Sequence, residues 1–188
     1  EYYLTPATEG RTLILTLDSS LQFGAQRALT NGVEAAGAKG GILVAMRPGT
    51  GEILASVSVE RDDDGVVRPS TEHRAATWSY EPGSIIKPLT FSALLDAGLA
   101  EPDTAREVPY RIYVHDSDFT DSSFHENEEW TVAEIVRRSS NVGTILWAQE
   151  AGATTLHTKL VDFGLGQATG LGFPGEAHGI LLPVAKWS

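Results

Sequence analysis

The 188-residue chain contains no cysteine and only one methionine. Without cysteine, disulfide staples, thiolate metal sites and a cysteine nucleophile are all excluded. Positive charge is scarce as well: 14 lysines and arginines stand against 25 aspartates and glutamates, a formal net charge of −11 at pH 7. A nucleic-acid binder needs a basic face to displace counterions from phosphate, and no Lys/Arg cluster occurs, so no nucleic-acid partner is expected. The same deficit argues against a polybasic membrane patch. No apolar run approaches the roughly 20 residues that span a bilayer, and no short apolar stretch follows a basic start as in a signal peptide. The histidines, His73, His115, His125, His157 and His178, are scattered without the H-x-x-x-H spacing of a helical zinc pair, and no metal is expected.

What the chain does have is a 41% hydrophobic content, enough to bury the core of one domain or slightly more. Leu13, Leu15 and Leu17 alternate with Thr12, Ile14 and Thr16, which predicts a strand over 11–17. Asp18, Ser19 and Ser20 then offer N-cap oxygens to an amphipathic helix through Leu21, Ala25, Ala28 and Leu29, ending at Asn31-Gly32. Two β-rich runs, Ile42 to Met46 and Glu52 to Val59, flank Pro48-Gly49-Thr50-Gly51 and predict an antiparallel hairpin. Asp62, Asp63 and Asp64 read as a solvated loop, because three consecutive side chains cannot converge on one ion. Leu89 to Leu99 predicts a helix with Phe91, Leu94 and Leu95 inward and Gly98 as its left-handed cap. The polar stretch 100–129 reads as a long surface excursion, with Asp116, Asp118, Asp121 and Glu126 on a solvated lip. Thr131 and Glu134 then form a capping box, followed by helices from about Val142 to Glu150 and Ala153 to Phe163.

Two local patterns carry chemistry. In Glu81-Pro82-Gly83-Ser84-Ile85-Ile86-Lys87-Pro88, a serine and a lysine three apart come within reach on one turn. A lysine kept neutral by burial or by a second cation can take the serine proton. Pro88 suits a first helical residue, so the turn from Ser84 to Lys87 is expected to be tight, 3₁₀-like, with the two side chains stacked and the positive end of the helix nearby. Gly83 would let a substrate backbone approach closely. The second pattern is Ser139-Ser140-Asn141, at the junction of two predicted helices. Alone it reads as a capping turn; together with the first it suggests two helix ends facing one cleft.

In that order, these patterns resemble the transpeptidase domain of penicillin-binding proteins, whose sites carry S-x-x-K, then S-x-N, then K-[ST]-G. The stretches Leu15-Thr16-Leu17-Asp18, Val44 to Ala55 and Ser139-Ser140-Asn141-Val142-Gly143 are similar to that domain too, and Glu81-Pro82-Gly83 leans to its class B, cell-division or elongation branch. The resemblance implies an α/β (α+β) fold, an antiparallel sheet flanked by helices, with residues 1–188 as the N-terminal portion of a single transpeptidase domain. It implies catalytic roles for Ser84, Lys87, Ser139 and Asn141, with Gly83 and Trp130 at the substrate, and no cofactor. Its partners would be peptidoglycan stem peptides, β-lactam antibiotics, and membrane proteins of division or elongation. Its place would be the outer face of a bacterial membrane, below an upstream anchor. A serine β-lactamase or β-lactam sensor, a D,D-carboxypeptidase and a non-catalytic scaffold are the rival readings. No Lys-Thr-Gly or Lys-Ser-Gly occurs in the sequence. The chain is therefore expected to be a C-terminally truncated fragment, close to inactive by itself.

Overall fold

The computed structural model describes residues 9–187 and divides into two units, one up to Trp78 and one from Ser79. In the first unit, helix α1 (Ser19–Ala35) begins where Asp18 Oδ1 accepts a hydrogen bond from the Leu21 N–H at 2.8 Å. Strands β1 (Gly40–Met46), β2 (Ile53–Arg61) and β3 (Val67–Pro69) form an antiparallel sheet in that order, followed by the short helix α2 (Arg74–Thr77). The β1–β2 hairpin is the expected one. Ala25, Leu29 and Val33 of α1 pack with Ala55, Val57, Val59 and Val67 to make the unit's core. Helix and sheet come so close that a Cβ on Gly41 would lie 2.8 Å from Val33 Cγ2, which explains a glycine inside a strand. Asp62 organises the β2–β3 turn, accepting from the Val66 N–H and from Arg68 Nε, and the bond from Arg68 holds its carboxyl below the usual carboxylate range.

Two expectations fail in this unit. Residues 11–17 form no strand, and Leu13 and Ile14 are 80% and 89% exposed. An alternating pattern becomes a strand only where a neighbour takes up its backbone groups. Among the described residues, the segment is tied down only at its end, by Thr16 Oγ1 to Ile53 O and Asp18 N–H to Leu54 O. The helix, in turn, runs through Asn31-Gly32 to Ala35. Burial of Val33 at 5% exposure outweighs the poor propensity of the two residues before it.

In the second unit a 3₁₀ turn (Gly83–Ile86) leads into α3 (Lys87–Asp96), and Gly98 at φ 65° closes the helix as expected. Leu95, expected inside, is 40% exposed. The stretch 100–129 is more ordered than its polarity suggests: β4 (Ala105–Val108) pairs with β7 (Glu128–Thr131), and β5 (Arg111–Val114) with β6 (Ser117–Thr120), both antiparallel. Helices α4 (Val132–Arg138), α5 (Asn141–Ala151) and α6 (Ala153–Asp162) complete the unit, and the expected capping box at Thr131 and Glu134 is present. Phe91, Leu94, Val108, Trp130, Val132, Ile135, Val142 and Trp147 form its core. The start of α5 lies against α4 at Gly143, where a Cβ would sit 2.8, 2.9 and 3.0 Å from Ile135 Cγ2, Cγ1 and Cδ1. Among the described residues all strand pairing is antiparallel, and with the helices this is the mixed fold expected.

Candidate active site

Gly83 adopts φ 59°, a left-handed conformation that costs little only for glycine, and from it the chain enters the turn that carries Ser84. The Lys87 N–H closes this turn on the Ser84 carbonyl. Pro88 does not keep Lys87 out of helical geometry: the lysine's φ and ψ of −57° and −41° are helical, and Lys87 is the first residue of α3. The steric bias of a following proline is here overridden by the packing that buries Lys87. Ser84 is exposed, and its hydroxyl makes no hydrogen bond among the described residues. Lys87 is only 8% exposed.

The lysine amine reaches the second pattern. Nζ donates to the Ser139 carbonyl at 2.5 Å, to Asn141 Oδ1 at 2.8 Å and to Ser139 Oγ at 3.2 Å, which uses all three protons of an ammonium. Burial pushes this amine below the ordinary lysine range, and the Asp121 carboxylate pulls part of the way back. The Ser139 and Asn141 side chains are brought to it by the α4–α5 junction. Ser139 ends α4 in the left-handed region, at φ 55° and ψ 38°, and Ser140 caps α5 by accepting from the Gly143 N–H at 2.8 Å. The Asn141 amide is oriented at both ends, since its Nδ2 donates to the Thr120 carbonyl at 3.0 Å. Ser139 and Asn141 are exposed like Ser84, so two hydroxyls and an amide open to solvent above a buried amine.

Asp121 belongs to this neighbourhood and not to a solvated lip: it is 7% exposed, whereas Asp116, Asp118 and Glu126 are indeed at the surface. Its carboxylate accepts from the Asn141 N–H at 2.5 Å, the Val142 N–H at 3.0 Å and the Ser140 hydroxyl at 2.7 Å. No pattern in the sequence separates this aspartate from its exposed neighbours. Only the N–H groups that the Ser140 cap leaves over at the start of α5 signal that a further acceptor must be there. Trp130, expected beside the substrate, is 4% exposed in the core, where Nε1 donates to Glu128 Oε2 and Arg138 lies over its ring. The structure thus brings Lys87, Ser139 and Asn141 into contact, places Ser84 one turn ahead of the lysine, and leaves Trp130 inside. Among the described residues, no group of three or more His, Asp or Glu side chains could hold a metal ion.

Comparison with known proteins shows which family the chain belongs to. Residues 41–188 match the family model of the penicillin binding protein transpeptidase domain. The chain is 33% identical to the penicillin-binding protein PbpB of Mycolicibacterium smegmatis and 31% identical to the peptidoglycan D,D-transpeptidase FtsI of Escherichia coli, alignments that cover 97% and 98% of this chain. It spans 29% and 32% of those two proteins. Among solved structures, penicillin binding protein 3 of Mycobacterium tuberculosis is similar in its apo form (TM-score 0.87, 31% identity) and in complex with ampicillin (TM-score 0.88, 32% identity). These superpositions cover 98% of this chain and 43% and 42% of those. With the family's match running from β1 to the last residue, and S-x-x-K and S-x-N meeting at one buried amine, the chain belongs to the penicillin-binding protein transpeptidase domain family.

Proposed function

We propose that the protein carrying this chain is a peptidoglycan D,D-transpeptidase, with residues 1–188 as the N-terminal portion of its transpeptidase domain. The contact of the buried Lys87 amine with Ser139 and Asn141, one turn beyond an open Ser84 hydroxyl, carries this reading. A neutral amine has two N–H groups and a lone pair. It can keep its bonds to the Ser139 carbonyl and Asn141 Oδ1 while its lone pair accepts a proton. Burial favours that neutral form.

Ser84 Oγ attacks the carbonyl carbon of the penultimate D-Ala of a stem peptide as its proton passes to Lys87. The tetrahedral intermediate collapses with breakage of the C–N bond. The leaving D-Ala amine takes back a proton through the Ser139 hydroxyl, which can turn from acceptor to donor. An amine from a second stem peptide then attacks the ester, forms the cross-linking amide and returns the proton to Ser84. β-Lactams acylate the same oxygen. Gly83 leaves the approach to Ser84 free of a side chain. The site acts outside a bacterial membrane, on an anchor upstream of this chain; no helix among the described residues is long and apolar enough to cross one.

The test is labelling by a fluorescent penicillin, read by intact mass. Residues 1–188 alone are compared with a longer chain that includes a K-[ST]-G strand and with the same chain bearing Ser84→Ala. The long form is expected to acylate on Ser84 and the short form very slowly or not at all, because in this reading the K-[ST]-G strand supplies one oxyanion donor, and loss of such a donor costs about a hundredfold to a thousandfold in rate. Labelling that survives Ser84→Ala overturns the mechanism.

A further inference from the structure

Resting on this proposed function, we infer that Asp121 is a positioning residue of the acyl-transfer site, the buried carboxylate that sets the Ser139–Asn141 turn against the Lys87 amine. Three of the bonds its carboxylate accepts come from that turn and the first residues of α5. Oδ1 accepts from the backbone N–H groups of Asn141 and Val142, the first two residues of α5. Oδ2 accepts from the Ser140 hydroxyl, the middle residue of the S-x-N pattern, and His125 Nε2 lies 3.2 Å from the same oxygen. The Asp121 N–H is itself fixed on the Tyr110 carbonyl, just ahead of β5, while Thr120 before it accepts from Asn141 Nδ2. The end of β6 therefore grips Asn141 twice, by its backbone through Asp121 and by its side chain through Thr120. What remains free on Asn141 is Oδ1, and it points at Lys87.

A negative charge at the first turn of a helix is favourable in itself, so a helix cap is the competing explanation. The two differ in what reaches Lys87. The groups facing its amine are Ser139 of α4 and Asn141 of α5, both uncharged. Arg138 of α4 lies over the Trp130 ring, and His125 sits on the far oxygen of Asp121. Among the described residues, Asp121 is the charge that acts on the amine, and it holds the lysine proton more tightly.

The experiment measures the second-order rate of acylation by a fluorescent penicillin across the neutral and alkaline range, in the full-length protein. Wild type is compared with Asp121→Asn and with Thr131→Ala, which removes a helix cap away from the site. Asp121→Asn is expected to acylate about tenfold or more slowly. Its pH limb, the rise in rate as Lys87 loses its proton, should move to lower pH, while Thr131→Ala leaves that limb in place. A folded Asp121→Asn protein with the wild-type limb shows a cap only and overturns the inference. Should Asp121→Asn not fold, Ser140→Ala, which leaves the two N–H groups on Oδ1, decides in its place: slower acylation supports the inference and an unchanged rate overturns it. Wild type that fails to acylate, or Ser84→Ala that still labels, refutes the proposed function instead and is told apart by those two controls.

Discussion

Substituting Gly143 by alanine probes how closely the two helices that present the site must pack. On helix propensity alone the change favours α5 by about 1 kcal/mol. Packing opposes it, because the new methyl would lie 2.8 to 3.0 Å from three atoms of Ile135. Those atoms cannot easily move: Ile135 is fully buried, and its β-branched side chain has essentially one rotamer in a helix. Overpacking of this kind costs about 1 to 3 kcal/mol, so after the propensity gain a net loss of up to about 2 kcal/mol is expected. Each kcal/mol lowers the melting temperature by about 2–4 °C for a protein of 150–250 residues. A second background sharpens the measurement. Ile135→Ala removes all three opposing atoms at a cost of about 2–5 kcal/mol, and in that protein Gly143→Ala should be neutral or stabilising, because its methyl fills part of the void. The double-mutant cycle should give a coupling of at least about 1 kcal/mol in thermal or urea unfolding. Gly143→Ala that raises stability in the wild-type background, or a coupling near zero, refutes the argument that α4–α5 contact dictates this glycine.

Three further outcomes are expected. Thr131→Ala should destabilise by about 1 kcal/mol. The Thr131 N–H first, and its hydroxyl second, hold the Glu134 carboxyl below its usual range, so the stability these bonds provide is present above the ordinary carboxyl pKa and lost as pH falls through the lowered one; the variant keeps the backbone bond and loses the hydroxyl one, so its urea unfolding should depend somewhat less on acid, and a greater acid dependence contradicts this. Trp130→Phe should lower stability by about 1–3 kcal/mol while leaving β-lactam acylation kinetics unchanged, whereas slower acylation with unchanged melting would put the ring at the substrate after all. In wild type, acylation should rise with pH through an inflection below the range of an ordinary lysine, as the depressed Lys87 amine loses its proton; an inflection at or above that range refutes Lys87 as the base.

The parts of this molecule legible in the sequence are those written within a few residues. Asp18 before α1, the Thr131–Glu134 box, Gly98 after α3 and the turn between β1 and β2 each satisfy backbone groups locally, so spacing alone reveals them. The site reads the same way for Ser84 and Lys87, which share a turn, and for Ser139 and Asn141, which flank a helix junction. What the sequence hides is set by distant partners. Strands β4 to β7 are only four residues each, with apolar and polar residues mixed, and β4 finds its partner only across the whole β5–β6 hairpin. Residues 11–17 have the alternation of a strand but not the neighbour. Asp121 looks like the other acids around it until the fold brings the start of α5 to its carboxylate.

The left-handed backbone at Ser139 sets two demands on one position against each other. At the end of α4, a residue with φ 55° is best served by glycine, and keeping a side chain there costs about 1 kcal/mol or more. Yet the same unfavourable geometry lets one residue offer both its carbonyl and its hydroxyl to Lys87. Stability and chemistry therefore have different optima at residue 139. A library at this codon screened only for survival of heat should drift towards glycine, while one screened for acylation should hold serine, and the spread between the two populations would measure how much thermal resilience the protein forgoes to keep its hydroxyl in place.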